Sequence, residues 1–238
     1  MNIRTLRFCL VKNFHTPSKK TSPITIMRHA ESVWNANERR VQGASTNPEI
    51  VLSESGKLSI QSTLKNITKP DILITSPLLR CKQTAEVWFG CSFENIPVQK
   101  KVKPDLEEIH AGIYEERFIR ELTHDELWKA WLKNPLTFSG FPNGETSQAF
   151  QDRVLNAFSK ICSEHGDRAE QVCVITHGIV MRVLKCYLDN KDLSHLWDYD
   201  VANLERIILT NDQVNVLLCY SSVRDPERFP PPVRTCAL

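Results

Sequence analysis

The chain has 238 residues, of which 41% are hydrophobic and 24% are charged, and its formal net charge is +2. This length is enough to bury a full hydrophobic core, and the near balance of charge argues against nucleic acid as a partner. Eight cysteines are present without any C-x-x-C pair. We therefore expect neither a disulfide framework nor a structural metal site. A reducing compartment is the expected location.

The N-terminal segment, residues 1–22, is basic and carries no acidic side chain; the first acidic residue of the chain is Glu31. Apolar residues are interleaved with the basic ones, a composition typical of a mitochondrial or plastid transit peptide. The alternative is a basic extension of a cytoplasmic protein, and the sequence leaves both open. No later apolar run reaches the length of a membrane span, so we expect a soluble mature chain without a membrane partner.

From residue 23 onward, strand-like and helix-like segments alternate along the chain. Strands are predicted from apolar or alternating runs at residues 24–27, 71–76, 96–102, 171–178, 203–209 and 213–219. Helices are predicted from apolar positions at helical spacing at residues 53–67, 77–89, 123–134, 146–166 and 179–188. The segment 114–144, between two sheet elements, is expected to form a helical lid insertion.

This alternation predicts an α/β fold: a three-layer α/β/α sandwich with a mostly parallel sheet that helices cover on both faces. The domain is expected to span residues 23–221. Residues 222–238 follow it as a tail that contains several prolines and arginines.

Polar and charged side chains follow four of the predicted strands, at the point where each strand ends. In an open α/β sheet, ligands bind beyond the carboxyl ends of the strands, so these side chains are expected to share one rim. They are Arg28, His29 and Asn35 after the first strand, Ser76 and Arg80 after the second, Glu107, Glu108 and His110 after the third, and His177 with Gly178 after the strand at 171–178.

These residue types suit phosphoryl transfer. The planar fork of an arginine matches phosphate oxygens, and a helix that begins at Gly178 would direct backbone N–H groups at the same anion. A neutral histidine can attack phosphorus to form a phosphohistidine, and a carboxyl group can protonate the leaving oxygen. Because phosphoryl transfer depends mainly on positioning and charge stabilisation, this set needs neither a metal nor another cofactor.

Each residue has a structural alternative when it is considered alone. A histidine after a strand is more often a buried structural residue, and an arginine one turn into a helix is usually a solvated charge. The histidines interpreted in this way are His110, His124, His165 and His195. The joint occurrence at four strand ends favours a site, because unrelated surface charges would not follow the topology of the sheet.

The sequence RHAESVWN, which begins at Arg28, resembles the R-H-G-E-[ST]-x-x-N motif of the histidine phosphatase superfamily, the phosphoglycerate mutase-like proteins. Further segments resemble the family in the same order; they are VQG, LSESG, SPLLRCKQTA, LEEIHAG, NGETSQAFQDRV and VITHG. The likeness extends from residue 24 to about residue 216, and Ala30 replaces the usual glycine of the first motif. It implies the α/β sandwich of the family and its phosphohistidine chemistry.

The resemblance also implies a role for each matching residue. His29 would be the phosphorylated nucleophile, and the general acid and base would be Glu108 rather than Glu107. The choice of Glu108 follows from the family's spacing to Leu106 and Gly112. Residues that would grip the phosphoryl group or line the rim are Arg28, Asn35, Gln42, Gly43, Arg80, Glu145, His177 and Gly178.

The insertion helps to choose an activity within the family. The family's mutases carry paired arginines and a lysine there, whereas residues 113–143 contain no R-R pair, and Ala111 stands where mutases carry a tyrosine. The segments ELWKAWLKNPLTF and NGET resemble the broad-specificity phosphatase branch. We therefore expect a metal-independent phosphatase acting on a small phosphorylated metabolite; the alternatives are a phosphoglycerate mutase and a non-catalytic phosphate-pocket scaffold. The sequence leaves a homodimer open.

Overall fold

The computed structural model describes residues 21–36 and 39–223. The predicted N-terminal extension lies outside these residues up to residue 20, and the predicted tail lies outside them from residue 224. Five strands form one sheet within the described part: β1 (Thr21–Arg28), β2 (Ile72–Thr75), β3 (Gln99–Val102), β4 (Val172–Thr176) and β5 (Arg206–Thr210).

The strand order is β3-β2-β4-β1-β5. Strands β3, β2, β4 and β1 are parallel to their neighbours in this order. Strand β5 lies at the edge of the sheet and pairs antiparallel with β1. The central strands β2 and β4 are buried along their whole length, as parallel strands covered on both faces should be. The prediction of a mostly parallel sheet is confirmed.

Each connection between successive strands contains at least one α-helix. In the described residues they are α1 (Val33–Ala36), α2 (Glu54–Thr63), α3 (Leu79–Phe89), α4 (Glu126–Lys133), α5 (Ser147–His165), α6 (Gly178–Leu188) and α7 (Asn211–Val223). Short 3-10 helices lie at Phe93–Asn95, Pro104–Leu106, Gly112–Tyr114, Ile119–Leu122 and Leu193–Asp198. Helix α3 begins at Leu79, two residues later than predicted, because Leu78 is still extended.

Successive residues of the buried strands point to opposite faces and build two separate cores. Ile72 and Ile74 of β2 pack in a core with residues of α5, α6 and α7, whereas Leu73 packs with residues of α2 and α3. In β4, Val174 joins the first core and Ile175 the second. Helices therefore cover both faces of the sheet, and the predicted three-layer sandwich is confirmed.

The prediction of a final strand at residues 213–219 is wrong, because this segment belongs to helix α7. The preceding residues form a capping box and not a hairpin turn: the Gln213 N–H donates to Thr210 Oγ1 at 3.2 Å, and the Thr210 N–H donates to Gln213 Oε1 at 2.9 Å. Val214, Leu217 and Tyr220 are buried at helical spacing, where α7 packs against α5. Capping and packing thus outweigh the strand-like alternation of this segment.

We expect Thr210→Ala to lower the free energy of unfolding by about 1 kcal/mol, because it removes the side-chain acceptor that caps α7. Urea denaturation followed by circular dichroism would measure the loss. Thr210→Ser keeps the hydroxyl and should retain most of the stability. A serine variant as unstable as the alanine variant would contradict the capping role of the hydroxyl.

The insertion predicted at residues 114–144 is helical, and α4 is its main element. Helix α4 begins after Asp125, whose carboxylate accepts the Trp128 N–H at 2.9 Å. Within the insertion, aromatic rings pack against one another, and Trp197 joins this cluster to the rest of the domain; the rings of the insertion are Tyr114, Trp128, Trp131, Phe138 and Phe141. The rings of Trp131 and Trp197 meet edge to face with centroids 5.3 Å apart, and Trp197 Nε1 donates to the Trp131 carbonyl at 3.2 Å.

Two further features concern the described residues alone. None of their helices combines the length and the apolar character that crossing a bilayer requires. Their cysteines are free thiols, which are Cys81, Cys91, Cys162, Cys173, Cys186 and Cys219.

Candidate functional site

The carboxyl ends of β1 and β4 bring two buried histidines together. Arg28 of β1 pairs in parallel register with Thr176 of β4, and a histidine follows each of them. The His29 N–H donates to the Thr176 carbonyl at 2.9 Å, and the rings of His29 and His177 lie with centroids 5.3 Å apart. The register of two neighbouring strands therefore sets the distance between the two side chains.

His29 is held as a neutral ring with one free nitrogen. Its Nδ1 lies 2.7 Å from the carbonyl oxygen of Ala30, and a carbonyl can only accept, so the Nδ1–H is the donor. Burial lowers the pKa of His29 well below its ordinary value, and the charges of Arg80 and Arg28 lower it further. Because the proton of the neutral ring lies on Nδ1, Nε2 carries a lone pair and can act as a nucleophile.

The backbone around His29 is hydrogen-bonded on every side. Besides the contact with Thr176, the His29 carbonyl accepts Asn203 Nδ2 at 2.9 Å, and the Ala30 N–H donates to Thr84 Oγ1 at 3.0 Å. Ala30 is buried and does not adopt a positive φ. The alanine in place of the family's usual glycine therefore causes no backbone strain, and His29 keeps its hydrogen bonds.

Two arginines each present a buried N–H group that has no acceptor within the described residues. Arg28 Nη1 donates to the Val201 carbonyl at 2.6 Å, and Arg80 Nη2 donates to the Gly43 carbonyl at 2.7 Å. These bonds fix the two planar groups, while the Nε atom of each is buried without a partner. Buried donors are almost always paired in native proteins, and an anion that accepts from both Nε atoms would satisfy them.

The first turn of α6 lies directly beside Arg28. A Cβ atom added to Gly178 would lie 3.2 Å from Arg28 Nε, closer than most side chains tolerate. The lack of a side chain at this position thus lets the helix start approach the guanidinium. The N–H of the next residue, Ile179, donates to Glu108 Oε2 at 3.0 Å, so this helix start also holds a carboxyl group.

Glu108 is a buried carboxyl that faces the two arginines. Its other oxygen, Oε1, accepts the Ile109 N–H at 3.2 Å. Burial raises the pKa of Glu108, and this effect outweighs the two backbone N–H donors and the charges of Arg80 and Arg28, which lower it. A carboxyl group with a raised pKa keeps its proton to higher pH, as a general acid must.

The neighbouring Glu107 points elsewhere. Its Oε2 lies 3.2 Å from Nε2 of His110, a histidine whose side chain is about half exposed. The two neighbouring carboxylates therefore have different surroundings: Glu107 pairs with His110, whereas Glu108 is buried and interacts electrostatically with Arg80 and Arg28.

The predicted rim residues Asn35 and Gln42 meet through Ser32. Ser32 Oγ lies 3.0 Å from Asn35 Oδ1 and 3.1 Å from Gln42 Oε1. A hydroxyl has one proton and can donate to only one amide at a time. The two amides thus form a single polar group with Ser32, and the structure gives neither of them a direct contact with His29.

Gly43 links this rim to Arg80 through its carbonyl. Its φ of +47° and an ideal Cβ position only 2.5 Å from Glu115 Oε1 both favour glycine here. Glu115 Oε1 accepts the N–H groups of Ala44 at 2.9 Å and Ala111 at 3.0 Å. Glu115 therefore joins the loop that anchors Arg80 to the loop that follows Glu108.

Sequence reasoning missed several residues that position the site, because they bond to backbone groups and lie in no strand-end motif. Thr84, Glu115, Arg153 and Asn203 belong to this group. Ser76 ends a predicted strand, and its Oγ lies 2.8 Å from His177 Nε2. Glu145, predicted as a rim residue, accepts the His110 N–H at 3.0 Å and lies behind the loop that carries Glu108.

The arrangement thus combines an unprotonated ring nitrogen, two fixed cations and a carboxyl group whose pKa is raised by burial. Such a set can bind a phosphoryl group, accept it on nitrogen and protonate the group that leaves. Among the described residues, no cluster of three or more His, Cys, Asp or Glu side chains could hold a metal ion.

Comparison with known proteins identifies the family of this chain. The profile of the histidine phosphatase superfamily (branch 1) matches residues 24–219. A curated relative from Serratia proteamaculans (strain 568), "Probable phosphoglycerate mutase GpmB", is 30% identical over 168 residues, which are 68% of this chain and 72% of the relative. The protein of the same name from Escherichia coli O139:H28 is 31% identical over 162 residues, with the same coverage of 68% and 72%.

Solved structures extend the comparison to phosphatases. The structure of Bacillus stearothermophilus YhfR has a TM-score of 0.64 and 26% identity, and the match covers 76% of this chain and 86% of that one. The alpha-ribazole phosphatase from Shigella flexneri has a TM-score of 0.61 and 22% identity, with coverage of 76% and 86%. At its lower identity, the second likeness bears on the fold alone.

Proposed function

The chain belongs to the histidine phosphatase superfamily, and on that premise we propose that it hydrolyses phosphate monoesters of small metabolites through a phosphohistidine on His29. The observation that carries the proposal is the free Nε2 of a neutral, buried His29 beside the unpaired Nε donors of Arg28 and Arg80. A nucleophile without a proton and two donors without an acceptor are complementary to a phosphoryl group.

The first step transfers the phosphoryl group to the protein. Arg28, Arg80 and His177 hold its oxygens, and His29 Nε2 attacks phosphorus in line with the ester oxygen. The bond between phosphorus and the ester oxygen breaks as the bond to nitrogen forms. Glu108 gives its proton to the leaving oxygen, so that an alcohol departs rather than an alkoxide.

The second step returns the free protein. The Glu108 carboxylate takes a proton from a water molecule, which attacks the phosphohistidine, and the bond between nitrogen and phosphorus breaks. Inorganic phosphate leaves, His29 is again neutral, and Glu108 is again protonated. The polar rim around Asn35, Gln42 and Gly43, together with Gly178 at the helix start, would contact the phosphoryl group and the part of the substrate next to it.

Hydrolysis is preferred to mutase activity because of the insertion. Residues 113–143 lack the paired arginines of the mutases, which would hold the second anionic group of a phosphoglycerate. The likeness of ELWKAWLKNPLTF and NGET to the broad-specificity phosphatase branch also supports hydrolysis. The second candidate is phosphoglycerate mutase activity, which the names of the curated relatives favour. A non-catalytic scaffold has less support, because the full set of reactive side chains is present.

Two assays test this proposal. We expect the protein to hydrolyse p-nitrophenyl phosphate in the presence of EDTA, because the proposed chemistry uses side chains alone. Lack of hydrolysis, or hydrolysis that EDTA abolishes, would contradict a metal-independent phosphatase. Conversion of 3-phosphoglycerate to 2-phosphoglycerate, stimulated by the bisphosphate and faster than hydrolysis, would establish the mutase instead. A panel of sugar phosphates, phosphoglycolate and nucleotides would then define the substrate class.

A further inference from the structure

One arginine of α5 binds the loop that carries Glu108. Arg153 Nη1 donates to the carbonyls of Asp105 at 3.1 Å and Glu107 at 2.9 Å, and its Nη2 donates to the carbonyl of Glu108 itself at 3.2 Å. Beyond the 3-10 turn Pro104–Leu106, this loop has no regular secondary structure. A long, well-packed helix thus supplies the hydrogen bonds that the loop cannot make within itself.

The remaining donors of Arg153 go to Glu145. Arg153 Nε donates to Glu145 Oε1 at 2.8 Å, and Nη2 donates to Oε2 at 2.7 Å, a bidentate pair. All five N–H groups of the guanidinium are therefore used. Glu145 Oε2 also accepts the His110 N–H at 3.0 Å, so the pair holds the loop on both sides of Glu108.

This arrangement differs from an ordinary surface ion pair. The side chains of Arg153 and Glu145 are only 17% and 18% exposed, and together they contact four backbone groups of one short loop. Neither side chain contacts His29, Arg28 or Arg80. A general acid must lie within about 2.6–3.2 Å of the atom that it protonates, so a small displacement of this loop would impair proton transfer.

We propose that Arg153, together with Glu145, is a positioning residue that fixes the backbone of Glu108 so that its carboxyl reaches the leaving oxygen of the substrate. This inference rests on the proposed function and deepens it. It assigns the pair to the protonation of the leaving group, and not to the binding of the phosphoryl group or to the nucleophilic attack.

The dependence of rate on the leaving group tests this role. p-Nitrophenolate is a weak base that departs without a proton, whereas the alkoxide of glycerol 2-phosphate needs one. For Arg153→Lys, which keeps the charge but loses the fork, we expect kcat/KM for glycerol 2-phosphate to fall by about 100-fold. The value for p-nitrophenyl phosphate should fall by less than about 5-fold, because its leaving group hardly needs the acid.

Two further variants complete the design. Glu145→Gln removes the ion pair and nearly preserves the shape of the side chain. It should give the same selective loss of kcat/KM for glycerol 2-phosphate, but a smaller one. This variant also tests the role of the pair if Arg153→Lys does not fold. Arg168→Lys is the matched control, because Arg168 is an exposed arginine that follows α5. It should leave kcat/KM unchanged for both substrates. The melting temperature of each variant would report any general loss of stability.

The outcomes separate this inference from the proposed function. A loss confined to glycerol 2-phosphate supports the positioning role. An equal fall for both substrates, or no fall for either, would overturn it and leave the phosphatase proposal intact. A wild-type chain that hydrolyses neither substrate would overturn the proposed function, and the positioning role with it.

Discussion

Replacement of His29 by alanine is expected to lower kcat for p-nitrophenyl phosphate by about 10⁴-fold or more, because loss of the nucleophile removes the covalent pathway. The wild-type protein should form an acid-labile phosphoenzyme when it is mixed with substrate and quenched, and the variant should form none. Rapid quench with ³²P-labelled substrate would measure both quantities. The bond between His29 Nδ1 and the Ala30 carbonyl predicts that the label lies on Nε2.

A matched control is available in His195. This histidine is exposed, and its Nδ1 lies 2.7 Å from Asp198 Oδ2. His195→Ala should keep full activity and full phosphoenzyme formation. Since His29 is buried, thermal unfolding of His29→Ala should be compared with that of His29→Gln, which keeps a polar side chain. A folded His29→Ala protein that still forms a phosphoenzyme would contradict the assignment of the nucleophile.

Replacement of Glu108 by glutamine is expected to lower kcat/KM for glycerol 2-phosphate by about 10²- to 10⁴-fold, the usual contribution of a general acid. The amide nearly preserves the shape of the carboxyl group but cannot supply the proton. The loss for p-nitrophenyl phosphate should be much smaller. Steady-state kinetics with both substrates over a range of pH would measure the effect.

The dependence of activity on pH follows from the direction of two pKa shifts. Burial raises the pKa of Glu108, so the acid form persists above its ordinary range and is lost as pH rises through the raised value. The pKa of His29 is lowered well below its ordinary value, so the nucleophile stays neutral until the pH is clearly acidic. We therefore expect the wild-type rate to be highest at mildly acidic to neutral pH and to fall on the alkaline side.

Glu108→Gln should remove the alkaline fall, because no proton is left to lose. Glu107→Gln is the control, since Glu107 pairs with His110 and does not face the arginines; it should behave as the wild type. A wild-type rate that keeps rising well above neutral pH would argue against Glu108 as the acid. An unchanged pH profile in Glu108→Gln would argue against it as well.

Much of the site follows from where polar residues stand relative to strands. The rule that ligands bind at strand ends predicted that His29 and His177 share one rim, and the parallel register of β1 and β4 places their rings 5.3 Å apart. The choice between Glu107 and Glu108 came from the resemblance to a family. In the structure, a local contact of Glu107 with His110 separates the two carboxylates.

The supporting residues could not be found in the same way. Arg153 acts through backbone carbonyls of a distant loop, and Asn203 acts through the carbonyl of His29. Such contacts depend on tertiary structure and leave no periodic pattern in the sequence. The wrong strand at residues 213–219 has a different cause: the alternation of apolar residues predicted a strand, although Thr210 and Gln213 have the spacing of the capping box that begins α7.

The two buried Nε donors of Arg28 and Arg80 have a consequence for turnover. A donor that is buried without an acceptor makes the free protein less stable, and any tetrahedral oxyanion that accepts from both relieves this cost. These hydrogen bonds do not require an ester group, so inorganic phosphate should accept them as well as the substrate does. On the proposed function, we therefore expect inorganic phosphate to inhibit the hydrolysis that releases it, so that the rate depends on the phosphate concentration around the protein.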